Sequence, residues 1–298
     1  MVAFPQAKTS PIVHQALLED RAWEDGTTLA LVAETKLARG RIVAKEDGYL
    51  AGCAFAEQAF RSLDPEVVLH WRCQDGARLN SGQVILDCQG KARALLSAER
   101  TALNFLQQLS GVATMTAQAV EAAGSVAVLD TRKTVPGLRD AQKLGVRAGG
   151  GVNHRRDLAD QWLLKENHFA LSGRSFGETV ELALEKADGV AVGVEVVDFE
   201  QARTAIVAGA DFVLLDNFKD AELAEVVSRL RELYPDAVLE VSGGYGLHNL
   251  AGLRQVGLDR VSVGALTHSA PALDLSFLLE TVEAGEDQTA HSGMNQAP

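Results

Sequence analysis

From about residue 120 onward the chain alternates short apolar runs with helical patterns, and this alternation limits the fold more than any other feature. The runs lie at 126–129, 162–164, 192–194, 212–215, 238–241 and 261–263, with ends spaced 21 to 35 residues apart. Helical periodicity fills most of the gaps, at 177–186, 199–208 and 221–233. Strands joined by helices at this spacing build a parallel sheet. The widest gap has room for one more short strand at 146–148, which makes seven. An open doubly wound sheet and an α/β barrel both fit. The strand ends favour the barrel. Asp130, Lys165, Glu195, Asp216, Ser242 and Gly264 follow successive runs, as expected where every strand delivers its C-terminal end to one pocket. Glycines at 243, 244 and 264 fall where barrels often bind phosphate. Neither the single G-x-G-x-x-G loop of a dinucleotide fold nor a Walker A loop is present.

The first hundred residues read differently. A helical pattern at 11–20 precedes short runs at 48–51, 67–69 and 84–86, and the turn dipeptides at 75–76 and 81–82 separate them. This predicts a small α+β layer rich in antiparallel pairing. Residues 97–109 predict one amphipathic helix, with Ala98, Ala102, Phe105, Leu106 and Leu109 on its apolar face and Ser97 as N-cap. Arg100, Asn104 and Gln108 fall on another face, which a solvated stripe would explain. The predicted division is 1–110 for the first domain and 111–269 for the barrel. The tail from 284 is polar and expected to fray.

Composition removes several classes. Hydrophobic residues make up 47% of 298, enough for a sizeable core. No run approaches the ~20 apolar residues of a membrane span, and the first twenty residues lack a signal-like apolar stretch. The expectation is a soluble, cytoplasmic protein. With 28 basic against 40 acidic residues the net charge is −12, against a broad nucleic-acid surface. Three cysteines, odd in number and without zinc spacing, read as idle thiols.

The chemistry concentrates between Arg132 and Lys165. Eight cations fall there (Arg132, Lys133, Arg139, Lys143, Arg147, Arg155, Arg156, Lys165) against three aspartates, among glycines at 137 and 149–151. A basic, glycine-rich loop at a strand end suits a small polyanion, since arginine grips carboxylate or phosphate with two parallel bonds. His154 and His168 lie in the same segment, and His268 follows Gly264. Glu195 and Asp216 end apolar runs, where acids need a cation, a metal or hydroxyl donors. They suit Mg²⁺ or a sugar, and a structural salt bridge is the alternative. Glu240, inside a run, stays open between site and scaffold. No pair of histidines has metal-ligand spacing and no G-x-S-x-G elbow occurs. The set asks for an anionic substrate with a sugar and a phosphate, needs that phosphoribosyl transfer shares.

Seven stretches together resemble the quinolinate phosphoribosyltransferase family: residues 99–114 (ERTALNFLQQLSGVAT), 130–139 (DTRKTVPGLR), 149–155 (GGGVNHR), 164–168 (LKENH), 214–218 (LLDNF), 240–245 (EVSGGY) and 263–269 (VGALTHS). The ordered set is far more specific than any one member. The resemblance implies an open-faced α/β sandwich joined to an incomplete, seven-stranded α/β barrel of TIM type, with residues 270–298 returning to the sandwich. It implies transfer of phosphoribosyl from phosphoribosyl pyrophosphate to quinolinate with Mg²⁺, releasing pyrophosphate and CO₂ and forming nicotinate mononucleotide for NAD biosynthesis. Carried over by position, Arg132, His154 and Arg155 match the quinolinate grip, and Lys133 and Lys165 match lysines among the substrate anions. Glu195 and Asp216 match acids near the ribose and Mg²⁺, which they hold directly or through water. Ser242, Gly243, Gly264 and His268 match the 5-phosphate site. Arg100 matches an arginine reaching the neighbouring active site of a homodimer, which replaces the solvated-stripe reading. No nucleic-acid or membrane partner is implied. Competing readings keep the fold but change the acceptor to nicotinate, turn the chain into a relative linked to molybdenum transport, or make it a non-catalytic binding protein. A nucleic-acid binder is a further reading, opposed by the charge.

Overall fold

The computed structural model describes residues 10–282; the tail from 284 lies outside them. The chain opens with helix α1 (Pro11–Glu19), which buries Val13 and Leu17, and a short helix α2 (Gly26–Leu31) capped by the Asp25 carboxylate accepting from the Thr28 N–H at 3.0 Å. Strand β1 (Leu37–Ala44) buries alternate residues, so one face of the sheet meets the core. A two-residue strand β2 (Gly48–Tyr49), helix α3 (Cys53–Leu63), β3 (Val68–Trp71), β4 (Arg78–Leu79) and β5 (Val84–Lys91) complete the layer. The main sheet is antiparallel: β1 lies between β5 and residues Leu275–Thr281, and β3 flanks β5. Ile42, Phe60, Leu86, Leu95 and Leu106 meet in its core.

One helix joins the layers. Helix α4 (Ala92–Ala123) is 32 residues long, or about 48 Å at 1.5 Å per residue. Its first half packs Leu95, Ala98 and Leu106 into the sandwich core, and its second half packs Val112, Ala119 and Ala123 into the barrel core. The division at 110/111 therefore falls inside this helix. The expected N-cap, Ser97, is in its interior, and its hydroxyl instead donates to Asp25 Oδ2 at 3.0 Å. Gly111 lies under the returning chain: a Cβ there would come within 1.9 Å of the Pro271 carbonyl oxygen.

The barrel follows as β6 (Ala127–Leu129), α5 (Arg139–Ala148), β7 (Trp162–Leu164), α6 (Glu166–Ser172), α7 (Phe176–Lys186), β8 (Val192–Val196), α8 (Phe199–Ala208), β9 (Phe212–Asp216), α9 (Asp220–Leu233), β10 (Leu239–Ser242), β11 (Arg260–Ser262) and α10 (Ala265–His268). All pairs are parallel, in the order β6-β11-β10-β9-β8-β7. The strand expected at 146–148 does not form. Those residues end α5, whose buried face includes Ala141, Gln142, Lys143 and Val146. The seventh stave is the single residue Val152, bridged to Leu129 on the free side of β6. Among the described residues no ladder joins Val152 to β7, so the barrel is open there. After α10 the chain returns and β12 (Leu275–Thr281) pairs with β1, in register from Ala38 opposite Thr281 to Ala44 opposite Leu275.

Candidate active site

The C-terminal ends of the barrel strands surround a cavity of about 740 Å³. Arg132 and Lys133 enter it after β6, His154 and Arg155 after Val152, and Lys165 after β7. Glu195 of β8, Asp216 at the end of β9, Ser242 and Gly243 after β10, and Gly264 and His268 after β11 complete the ring. Strand ends converge here because the staves are parallel, so residues scattered over more than 130 positions share one mouth.

Its charges are arranged in pairs. Lys165 Nζ is paired with Glu195 Oε2. Asp216 accepts from Ser242 Oγ at 2.6 Å through one oxygen and from Asn217 Nδ2 at 2.8 Å through the other. Asn217 takes the left-handed conformation at φ 56°, and Gly243 sits against it at φ 98°. A Cβ on residue 243 would stand 2.2 Å from Asn217 Oδ1, so only glycine fits that turn. Across the mouth, Arg132 and Arg155 are neighbours. Burial, and then the Arg132 charge, hold the Arg155 guanidinium below its usual range, with Glu195 opposing. Arg155 Nη1 donates to the Gln161 carbonyl at 3.0 Å, while Arg132 Nε is buried with no hydrogen-bond partner. Two adjacent guanidiniums with an unmatched buried donor form a receptor for a dianion. A Cβ on Gly264 would meet Lys133 Cδ at 3.1 Å and His268 Nε2 at 3.2 Å, so this glycine leaves both side chains room beside the backbone.

Comparison with known proteins gives this site its relatives. The family model for the quinolinate phosphoribosyl transferase N-terminal domain matches residues 25–110, and that for the C-terminal domain matches residues 112–278. The chain belongs to the quinolinate phosphoribosyl transferase family. It is 42% identical over 272 residues to the nicotinate-nucleotide pyrophosphorylase (carboxylating) of Mycobacterium leprae, covering 89% of this chain and 95% of that one. The probable enzyme of the same name from Bacillus subtilis is 40% identical over 270 residues, covering 89% and 91%. The crystal structure of NadC from Streptococcus pyogenes superposes with a TM-score of 0.89 at 38% identity, covering 95% of this chain and all of that one.

Within this quinolinate phosphoribosyl transferase framework, Arg100 and His168 lie outside the mouth, and His154 lines it with its ring held by protein. Arg100, exposed on α4, does not line the mouth. It lines a separate groove of about 320 Å³ with Asn104, Gln108, Glu19 and Leu138. His168 also stays outside the mouth; its Nδ1 accepts the Lys165 N–H at 2.9 Å and so fixes the start of α6. His154 does line the mouth, but both ring nitrogens face protein: Nδ1 accepts from the Arg155 N–H at 2.7 Å, and Nε2 lies 3.3 Å from Glu240 Oε1. Sequence reasoning missed Asn217, although its place directly after Asp216 and the tolerance of asparagine for positive φ were signals. Burial pushes all three thiols up, Cys88 to about 12, and none of the three lines the mouth. No described helix is long and apolar enough to cross a membrane.

Proposed function

We propose that this chain transfers phosphoribosyl from phosphoribosyl pyrophosphate to quinolinate, with release of pyrophosphate and CO₂ and formation of nicotinate mononucleotide. The observation that carries this reading is the Arg132–Arg155 pair facing the Glu195 and Asp216 carboxylates across one cavity. Quinolinate is a dianion with adjacent carboxylates, and two side-by-side guanidiniums match it. Lys133 and Lys165 neutralise charge on the departing pyrophosphate, a role supported by their place in the lining of the same mouth. The backbone amides of Gly243 and Gly264, and His268, receive the 5-phosphate, joined by the Ser242 hydroxyl on turning its proton away from Asp216. Glu195 and Asp216 accept from the ribose hydroxyls and stabilise positive charge growing on the ribose ring.

The same two acids fit Mg²⁺. Each carboxylate offers ~four lone-pair sites, and Asp216 commits two of them to Ser242 and Asn217. The described residues hold no cluster of three or more candidate metal ligands. That suits an ion arriving with substrate phosphates and held by one or two carboxylates, partly through water, rather than by a protein cage. Bound Mg²⁺ supplies charge neutralisation for the leaving pyrophosphate. Pyridine nitrogen attack at ribose C1 breaks the C1–O bond to pyrophosphate. The 2-carboxylate then leaves as CO₂, its bonding pair stays on ring C2 where the adjacent positive nitrogen stabilises it, and a proton from solvent adds there. The protein contributes orientation and fixed charge throughout.

The decisive assay combines quinolinate, phosphoribosyl pyrophosphate and Mg²⁺ and follows nicotinate mononucleotide and CO₂. Product that requires quinolinate and does not form from nicotinate supports the carboxylating reaction; no product from quinolinate removes it. In the same assay Arg132→Ala should raise the quinolinate KM by about 30-fold or more, the cost of removing one partner from a desolvated charge pair. An unchanged quinolinate KM removes Arg132 from the grip.

The enzyme works as a homodimer in which Arg100 reaches the partner's mouth, which is supported by its position in a groove apart from its own mouth. Mixing Arg100→Ala and Asp216→Ala subunits should restore about a quarter of wild-type activity, because half of randomly paired dimers then hold one intact site. No recovery places Arg100 in its own subunit's site. Three free cysteines suit a reducing cytoplasm.

A further inference from the structure

Below the mouth lies a second layer of charge that the reaction above does not use. Asp130 and Glu240 are fully buried, and Lys143 is nearly so. Such groups are costly inside a barrel unless each is paired. Their partners converge on two consecutive residues, Asn153 and His154. Asp130 accepts from the His154 N–H at 2.9 Å and from Lys143 Nζ at 2.5 Å, and Lys143 also donates to the His154 carbonyl at 2.8 Å. The Asn153 side-chain NH₂ group faces two acceptors, Asp130 Oδ2 at 2.8 Å and the Lys143 carbonyl at 2.9 Å. This backbone borders the open side of the barrel, where among the described residues Val152 has a strand neighbour on one side only. Side chains do the fastening that a second ladder does elsewhere.

The imidazole is fastened separately. His154 Nδ1 accepts the Arg155 N–H while Nε2 lies 3.3 Å from Glu240 Oε1, so the two contacts together place the proton of a neutral ring on Nε2. Glu240 Oε1 accepts from Ser262 Oγ–H at 2.6 Å, and its Oε2 lies 3.4 Å from Arg260 Nε in an ion pair without a hydrogen bond; the Arg260 guanidinium lies 4.5 Å from the centre of the Phe212 ring. We infer that Glu240 is a positioning residue for the carboxylate grip: it fixes the tautomer and tilt of His154, and through the Arg155 N–H holds Arg155 beside Arg132. The inference rests on the reaction proposed above. A glutamine at 240 keeps the volume but brings an NH₂ group against the donors Arg260 and His154, so the ring loses its one charged acceptor.

The test is steady-state kinetics of Glu240→Gln with each substrate varied. The quinolinate KM should rise about tenfold while the phosphoribosyl pyrophosphate KM and kcat stay within about threefold. General destabilisation instead lowers the active fraction, and so kcat, without splitting the two KM values. In a His154→Gln background the same change should shift the quinolinate KM less than about twofold, because the route through the ring is already cut. An unchanged quinolinate KM, equal rises in both KM values, or the same rise in both backgrounds overturns the inference. If Glu240→Gln does not fold, Ser262→Ala serves: it removes one hydrogen bond to Glu240 while keeping its charge. A rise of about two- to threefold in the quinolinate KM alone supports the inference, and none overturns it. Nitrogen-15 spectra of His154 read the tautomer directly. The wild type should show protonated Nε2 and bare Nδ1, and Glu240→Gln a mixture; identical spectra overturn the inference. These spectra stand even if the wild type makes no nicotinate mononucleotide, an outcome that defeats the proposed reaction instead.

Discussion

Asp216→Ala should lower kcat by about a hundredfold or more while leaving the quinolinate KM within about threefold. Asp216 is remote in role from the arginine pair. Its carboxylate ends β9, pins Ser242 and Asn217, and keeps lone pairs for the ribose and Mg²⁺. Charge builds on the ribose ring only as the bond to pyrophosphate breaks, so an acid placed there acts mainly on the transition state. Asp216→Asn is the informative companion. It keeps the volume that supports the Gly243 turn but loses the charge, and should recover less than about a tenth of the lost rate. Wild-type turnover of Asp216→Ala at saturating Mg²⁺ removes the residue from the reaction.

Asp130→Ala should destabilise the protein by about 3–5 kcal/mol, read as a lowered urea midpoint with an unchanged slope. The variant leaves Lys143 in the interior without a counter-charge, and strips the Asn153 amide and His154 N–H of their acceptor. The contrast is Arg156, which grips Asp140 with two bonds at 2.7 and 2.9 Å but in the open, where a pair contributes about 0–1 kcal/mol. Burial, outweighing Lys143, holds the Asp130 carboxyl above its usual range. Desolvation offsets much of the attraction in a buried pair, so its removal as a unit should hurt less than its division. The double variant Asp130→Ala, Lys143→Met should recover part of the loss of Asp130→Ala. A double variant as unstable as the sum of its singles overturns this account.

The strands of the barrel were legible because a parallel strand buried on both faces is a short apolar run closed by a polar residue, as at Phe212–Asp216. The seventh was misplaced because Val146 and Ala148 look β-like alone, while Ala141, Gln142 and Lys143 one turn earlier supply the buried face of a helix. The reading of α4 stopped at 109, where large apolar residues give way to Ser110, Gly111, Ala113 and Thr116. Those small residues are buried, since the helix runs between two layers, and periodicity is weak where most faces are covered. Strand β1 escaped notice because Ala38, Gly40 and Ala44 make a faint alternation and its outer partner lies at the far end of the chain. Among site residues, the charged strand ends were visible, but the joint hold of Asp130 and Glu240 on His154 was not. That contact depends on which side chains meet across the barrel interior, and spacing along one strand carries no such information.

The pairing of β1 with β12 sets a timetable for synthesis. Arg41 and its partner Glu280 are 239 positions apart, so at ordinary elongation rates β1 emerges about 10–50 s before the strand that covers its outer edge. For that interval the sandwich sheet ends in an uncovered strand, a template for pairing with another nascent chain. Arg39 and Arg41 place two positive charges on that strand, the kind of residue that discourages such pairing until β12 arrives.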